Sequence, residues 1–135
     1  MIKIAVIGCG RIANIKHFPA LAEIEGVHIK YAVDLIGERA EQAKEKYGCD
    51  FAETDYHIAL RDPEITAVYV LTPIYAHYAI TMAALTAGKH VFCEKPITVN
   101  YPLSCEMQAL ANEKKRILNI GVCNRYHRSV ELIRK

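Results

Sequence analysis

The chain has 135 residues, 52% hydrophobic and 24% charged, with a net charge of +2, which suits one globular domain with a real core and argues against disordered or fibrous classes. Its lysines and arginines are scattered instead of gathered into a patch, so nucleic acid is not an expected partner. The five cysteines are odd in number and contain no C-x-x-C pair, which argues against a disulfide framework or a metal site and points to reduced thiols in the cytoplasm.

In chain order, the apolar run over 3–7 stops at Gly8 and is too short for a signal peptide, so it predicts a buried strand. It runs directly into Gly8-Cys9-Gly10-Arg11-Ile12-Ala13, a dinucleotide fingerprint with alanine in the last small position. Gly8 permits a tight turn, Gly10 lets the backbone approach a pyrophosphate, and Ala13 lets the following helix, predicted over 12–24, pack closely on the strand. The helix amino terminus, at Arg11 and Ile12, offers free N–H groups and a partial positive charge to phosphates. A bare strand-to-helix turn remains the alternative for such a motif.

A second strand is predicted over 28–33 and ends at Asp34, about twenty residues past the fingerprint, where a ribose would present its hydroxyls. A carboxylate accepts from both hydroxyls and repels a 2′-phosphate, so Asp34 points to NAD over NADP. Arg39, in the helix predicted over 37–47, is the one nearby cation that would favour a phosphate. The alternative for Asp34 is a helix cap. A short strand near 49–52 and a helical turn over 56–60 follow.

The uncharged stretch 65–88 is long enough to span a bilayer. It is interrupted by Pro73, contains Thr72 and His77, and changes from β-branched to Ala-rich, so it reads as a strand over 68–71 and a helix over 77–87, not as a membrane span. A strand over 90–93, a helix over 101–115 and a strand over 116–121 complete the alternation. Right-handed crossovers then imply a doubly wound α/β parallel sheet of Rossmann type, with its crevice at the carboxyl ends of the strands.

Two polar clusters end up at that crevice, Thr72-Pro73 and Glu94-Lys95-Pro96. The string Gly88-Lys89-His90-Val91-Phe92-Cys93-Glu94-Lys95-Pro96, preceded by Thr72-Pro73 and His77, resembles the glucose-fructose oxidoreductase, inositol dehydrogenase and MocA (Gfo/Idh/MocA) family. The resemblance runs from the glycine fingerprint to Asn124-Arg125-Tyr126. It implies a single dinucleotide-binding domain over 1–122, followed by the start of a linker helix over 123–135 toward a second α/β domain that is absent here. It also implies an NAD(P)-dependent oxidoreductase acting on a small sugar, cyclitol or related hydroxyl compound, and a homo-oligomer in the full-length form.

By the same resemblance, Lys95 would sit beside the nicotinamide and hold the reacting oxygen. An ammonium in a partly dry crevice suits that role, because it stabilises a developing alkoxide or helps transfer a proton. Glu94 would position the lysine or touch the cofactor, Thr72 and Pro73 would line its path, and His77 and Asn124 join the cofactor contacts, with a structural role at the start of a helix as the alternative for His77. Without the resemblance, Glu94 and Lys95 would read as a solvated charge pair. Where many relatives carry a polar residue after Thr-Pro this chain has Ile74, so that contact is lost. His17 reads as a packing or capping residue, as do Cys49, Cys105 and Cys123 as packing thiols. A stand-alone NAD-binding or redox-sensing module is the alternative function. A methyltransferase is disfavoured by the Glu-Lys-Pro cluster.

Overall fold

The computed structural model describes residues 1–126, together with Val130 and Ile133. The linker helix expected toward residue 135 therefore lies outside the described residues, as does the side chain of Asn124, whose backbone sits in a short 3-10 turn at Cys123–Tyr126.

Six parallel strands form one sheet: β1 (Ile2–Ile7), β2 (Val27–Val33), β3 (Phe51–Glu53), β4 (Ile65–Val70), β5 (His90–Cys93) and β6 (Leu118–Ile120), in the order β3-β2-β1-β4-β5-β6. The order reverses between β1 and β4. At such a switch point the crossovers leave in opposite directions, and a crevice opens at the carboxyl ends of the strands.

Strand alternation sorts the side chains into two cores. Ala5, Ile7, Val33, Val68 and Val70 face Ile80, Ala84 and Leu85 of α4 (Ile74–Thr86) and Ala111 of α5 (Tyr101–Glu113). On the other face Ile4, Val6, Ile29 and Ala32 meet Phe18 and Leu21 of α1 (Phe18–Ala22) and Ala43 of α2 (Gly37–Tyr47). A bulge makes this sorting work: Ile4 pairs with Ile29 but Ala5 pairs with Tyr31, so the extra residue, Lys30, resets the alternation. Lys30 then pairs with Asp62 and Glu64, which follow the short helix α3 (Tyr56–Arg61).

Several expected bounds differ: β4 starts at Ile65 instead of residue 68 and β3 lies at Phe51–Glu53 instead of near 49–52, and three further differences have a local reason. The first helix is interrupted by a π-helical segment at Ala13–His17, in which the Phe18 N–H reaches back to the Ala13 carbonyl. Pro19 explains it, because proline has no N–H for the preceding turn and its ring needs the carbonyl behind it moved aside. The helix after Thr72-Pro73 starts at Ile74 rather than His77, since the fixed φ of Pro73 already leads into it. β6 begins at Leu118 because the Arg116 N–H still closes the end of α5, donating to the Ala111 carbonyl at 2.9 Å. The uncharged stretch 65–88 divides into β4 and α4, and no described helix is long and apolar enough to cross a membrane.

Candidate functional site

A cleft of about 580 Å³ opens where β1, β2 and β4 end, lined by Gly8, Gly10, Arg11, Ile12, Asp34, Arg39, Thr72 and Pro73, with Tyr56 and Tyr75 at its outer wall. The glycine loop forms its floor. Gly8 has φ +101°, and a Cβ there would stand 2.7 Å from the Leu71 carbonyl carbon and 2.9 Å from the Thr72 nitrogen, so only glycine lets β1 turn against the end of β4. At Gly10 a Cβ would meet nothing within 4 Å, so the backbone is bare toward the cleft. Ala13 is fully buried. Its methyl packs the helix on the sheet and is not part of the cleft lining.

Asp34 does two jobs at once. One carboxylate oxygen accepts from the Cys9 N–H at 2.8 Å, and the other accepts from the Ile36 N–H at 2.9 Å. The second bond is a local turn ahead of α2, whose N-cap is Ile36 with no side-chain cap, so Asp34 does not cap the helix. The first ties Asp34 to the glycine loop. Each oxygen keeps a lone pair for a further donor, so the carboxylate can still receive hydroxyls in the cleft.

The Cys9 thiol, buried beneath this loop, is pushed up to about 12 by burial and then by the charge of Asp34. Burial likewise raises Cys49 and Cys93 to about 11. Cys105 and Cys123, expected to pack, are exposed instead. Thiolates are the reactive form, so a disulfide-exchange reagent at neutral pH should titrate two thiols in the native chain and five in guanidinium. A count near five without denaturant would contradict the burial of the other three. The raised values also favour the native state only up to about pH 9, the ordinary thiol value, and that contribution declines as the pH rises further.

The polar clusters after β4 and β5 are joined by His77. Its ring is 1% exposed, with Nδ1 2.9 Å from the Pro96 carbonyl and Nε2 2.8 Å from the Thr72 carbonyl. Both ring nitrogens lie against backbone carbonyls and His77 is not among the residues lining the cleft, so the ring bridges the two loops from beneath. The Thr72 hydroxyl has no hydrogen-bond partner among the described residues although its oxygen is buried, and Thr72 lines the cleft. A buried hydroxyl left unpaired is costly, so it is suited to a ligand's polar group.

Glu94 is engaged by His17 and by the Lys95 backbone. Its carboxylate is 2.8 Å from His17 Nε2 on one side and accepts from the Lys95 N–H, also at 2.8 Å, on the other. His17 itself packs edge-on against Phe92 at 5.3 Å, as a packing residue should, and its bond to Glu94 was not legible from the sequence. The Lys95 side chain is exposed and makes no ion pair among the described residues, so the solvated Glu94-Lys95 charge pair does not form. The Lys95-Pro96 peptide bond is cis.

One residue that holds the loop was not legible as such from the sequence. Asn14 donates from its side-chain amide to the Cys9 carbonyl at 2.8 Å and to the Gly10 carbonyl at 3.0 Å. The available signal was an asparagine one turn after the glycines, the spacing at which such side chains reach back to backbone carbonyls.

A model of an oxidoreductase family with an NAD-binding Rossmann fold matches residues 2–122. Inositol 2-dehydrogenase of Salmonella typhimurium is 33% identical over 129 residues, covering 93% of this chain and 38% of the relative. Myo-inositol 2-dehydrogenase of Thermotoga maritima is 34% identical over 137 residues, covering 98% and 40%. Among solved structures, a 3-ketoreductase from Actinomadura kijaniata in complex with NADP superposes with a TM-score of 0.92 at 30% identity, over 98% of this chain and 42% of that one. The chain thus spans about two fifths of the length of these relatives.

Proposed function

This chain belongs to the Gfo/Idh/MocA oxidoreductase family, of which it carries the NAD(P)-binding Rossmann fold, and from that premise we propose that it binds NAD in preference to NADP for a sugar or cyclitol dehydrogenase. The observation that carries the cofactor choice is Asp34. Its carboxylate borders the cleft, holds the glycine loop, and keeps lone pairs for the two ribose hydroxyls, whereas a 2′-phosphate would meet its charge. Arg39 lines the same cleft, but an exposed guanidinium farther along α2 offsets that repulsion only weakly through water. The ketoreductase with NADP is a relative of the fold and does not carry its choice to this chain.

The residues present fit a dinucleotide. Gly10 is bare, the Thr72 hydroxyl is unpaired, and the helix after the loop opens at Arg11 with N–H groups free of intrahelical partners. Gly8, Gly10, Arg11 and Ile12 are assigned to the pyrophosphate and Thr72 and Pro73 to the path toward the nicotinamide, with Asn124 as a further contact. The nicotinamide supplies the site that accepts or gives a hydride.

Lys95 is the catalytic residue in this reading. Its ammonium donates a hydrogen bond to the substrate oxygen and stabilises it as the proton leaves or returns. Glu94 holds the Lys95 backbone and His77 fixes the loops on either side, so the ammonium is carried on a braced segment. The inositol dehydrogenases among the relatives favour a polyol substrate. Residues 1–122 form the dinucleotide domain in this assignment, and 123–135 lead toward a substrate half like that of the longer relatives, which would also form the homo-oligomer. Five cysteines with no C-x-x-C pair suit a reducing cytoplasm.

The test is calorimetric titration with NADH and NADPH of the native chain and of Asp34→Asn, which keeps an oxygen for the Cys9 N–H while losing the charge. NADH should bind about tenfold tighter than NADPH, or more, and the variant should lose most of that preference. Equal or tighter binding of NADPH by the native chain would overturn the assignment.

A further inference from the structure

The π-helical segment explains why Asn14 stands where it does. Within it the Phe18 N–H is given to the Ala13 carbonyl, and the next residue, Pro19, has no N–H to give. The Asn14 carbonyl is therefore deprived of a helical partner, and the Tyr47 hydroxyl fills the gap, donating to it at 3.0 Å. Tyr47, the last residue of α2, is held in place by stacking on Phe18, with ring centroids 4.7 Å apart and planes 5° from parallel. The backbone of Asn14 is thus anchored to a neighbouring helix.

Its side chain works in the other direction. The amide nitrogen donates to the carbonyls of Cys9 and Gly10, and since both partners can only accept, chemistry fixes which end of the amide faces the loop. In a planar trans peptide the C=O and the following N–H point in opposite directions. The Gly10 carbonyl also accepts from the Asn14 backbone N–H at 3.1 Å, so the helix itself helps to hold that plane, and the amide alone draws in the Cys9 carbonyl. With both carbonyls toward the helix, the N–H groups of Gly10 and Arg11 turn away from it, and both residues line the cleft.

We propose that Asn14 is a positioning residue for the cofactor pyrophosphate: its amide sets the Cys9–Gly10 peptide plane and braces the Gly10–Arg11 plane, so that the Gly10 and Arg11 N–H groups face the phosphates, and Tyr47 holds Asn14 in register. This rests on the NAD(P)-binding reading and adds a residue outside the glycine fingerprint to it. The phosphate-binding part of the cleft is then pre-set by contacts reaching as far as the end of α2, and a ligand does not have to order it.

The experiment separates phosphate recognition from adenosine recognition. ADP and adenosine are titrated into the native chain, Asn14→Ala and Tyr47→Phe by ligand-observed NMR, with NADH by calorimetry and circular dichroism as a check of fold. Asn14→Ala should weaken ADP and NADH about tenfold and leave adenosine within about twofold. Tyr47→Phe, which deletes one oxygen and keeps the stacking, should weaken ADP in the same pattern by about threefold. Unchanged ADP binding, or adenosine falling in step with ADP, would overturn the proposal. If Asn14→Ala does not fold, the Tyr47→Phe result decides alone. A native chain that binds neither ADP nor NADH would instead remove the cofactor reading beneath it.

Discussion

Gly8→Ala unfolds much of the margin by which this domain is stable, whereas Gly10→Ala leaves the fold intact and removes the cofactor; that contrast is the result we expect from melting curves and NADH titrations of the two variants. At Gly8 the added Cβ meets the backbone of Leu71 and Thr72 at 2.7–2.9 Å, and φ is +101°. Neither neighbour is the movable end of a side chain, so β1 and β4 must separate at their carboxyl ends. Overpacking and backbone strain each cost roughly 1–3 kcal/mol, so the sum is a large part of a stability of about 5–15 kcal/mol. The midpoint should fall by about 10 °C or more. At Gly10 the new methyl has free space. Its melting temperature should stay within about 2 °C, while NADH binding weakens at least about tenfold because the methyl occupies the approach of the phosphates. Similar melting losses at both sites would mean that the loop is not shaped as described, and undiminished NADH binding by Gly10→Ala would place the dinucleotide elsewhere.

The second large effect concerns Lys95. With the substrate half present, Lys95→Ala should lower turnover of a polyol by about 10²–10⁴-fold, the range for losing a positioned general acid or base. NADH affinity should change little, because the ammonium acts on the substrate oxygen and makes no ion pair among the described residues. Lys95→Arg keeps the charge but not the compact ammonium or its ability to give up a proton, so it should recover only a small part. Steady-state rates, with NADH binding measured separately, check this. A loss of turnover below tenfold would move the catalytic role to another group, and a parallel collapse of NADH binding would make Lys95 a cofactor contact.

The sheet order was legible from runs such as 3–7 and 28–33, because buried parallel strands are near-continuous apolar segments and the crossover rule leaves few arrangements. The glycine loop and Asp34 were legible for a related reason: close backbone approach needs small residues, and a carboxylate at the end of β2 has few other uses. What escaped depends on partners distant in sequence. His77 reads as a helix-start histidine until Pro96 and Thr72 are seen on its two nitrogens. His17 reads as packing until β5 brings Glu94 to it across 77 positions. The π segment is implied by Pro19, but whether a helix kinks, ends or widens at a proline depends on what catches the abandoned carbonyl. Here that is Tyr47, 33 positions away.

Asp34 gives this loop an unusual inheritance. The carboxylate assigned to discriminate between the two cofactors also receives the Cys9 N–H, so it is a beam of the phosphate loop as well as its gatekeeper. A lineage drifting toward NADP by replacing Asp34 with a small neutral residue would orphan a part-buried donor, at about 1–3 kcal/mol, before gaining any contact with the new phosphate. The step is uphill unless another acceptor reaches Cys9 first. Cofactor preference in this chain is therefore held by loop architecture as well as by charge, and descendants that changed it would carry a compensating replacement beside the glycines.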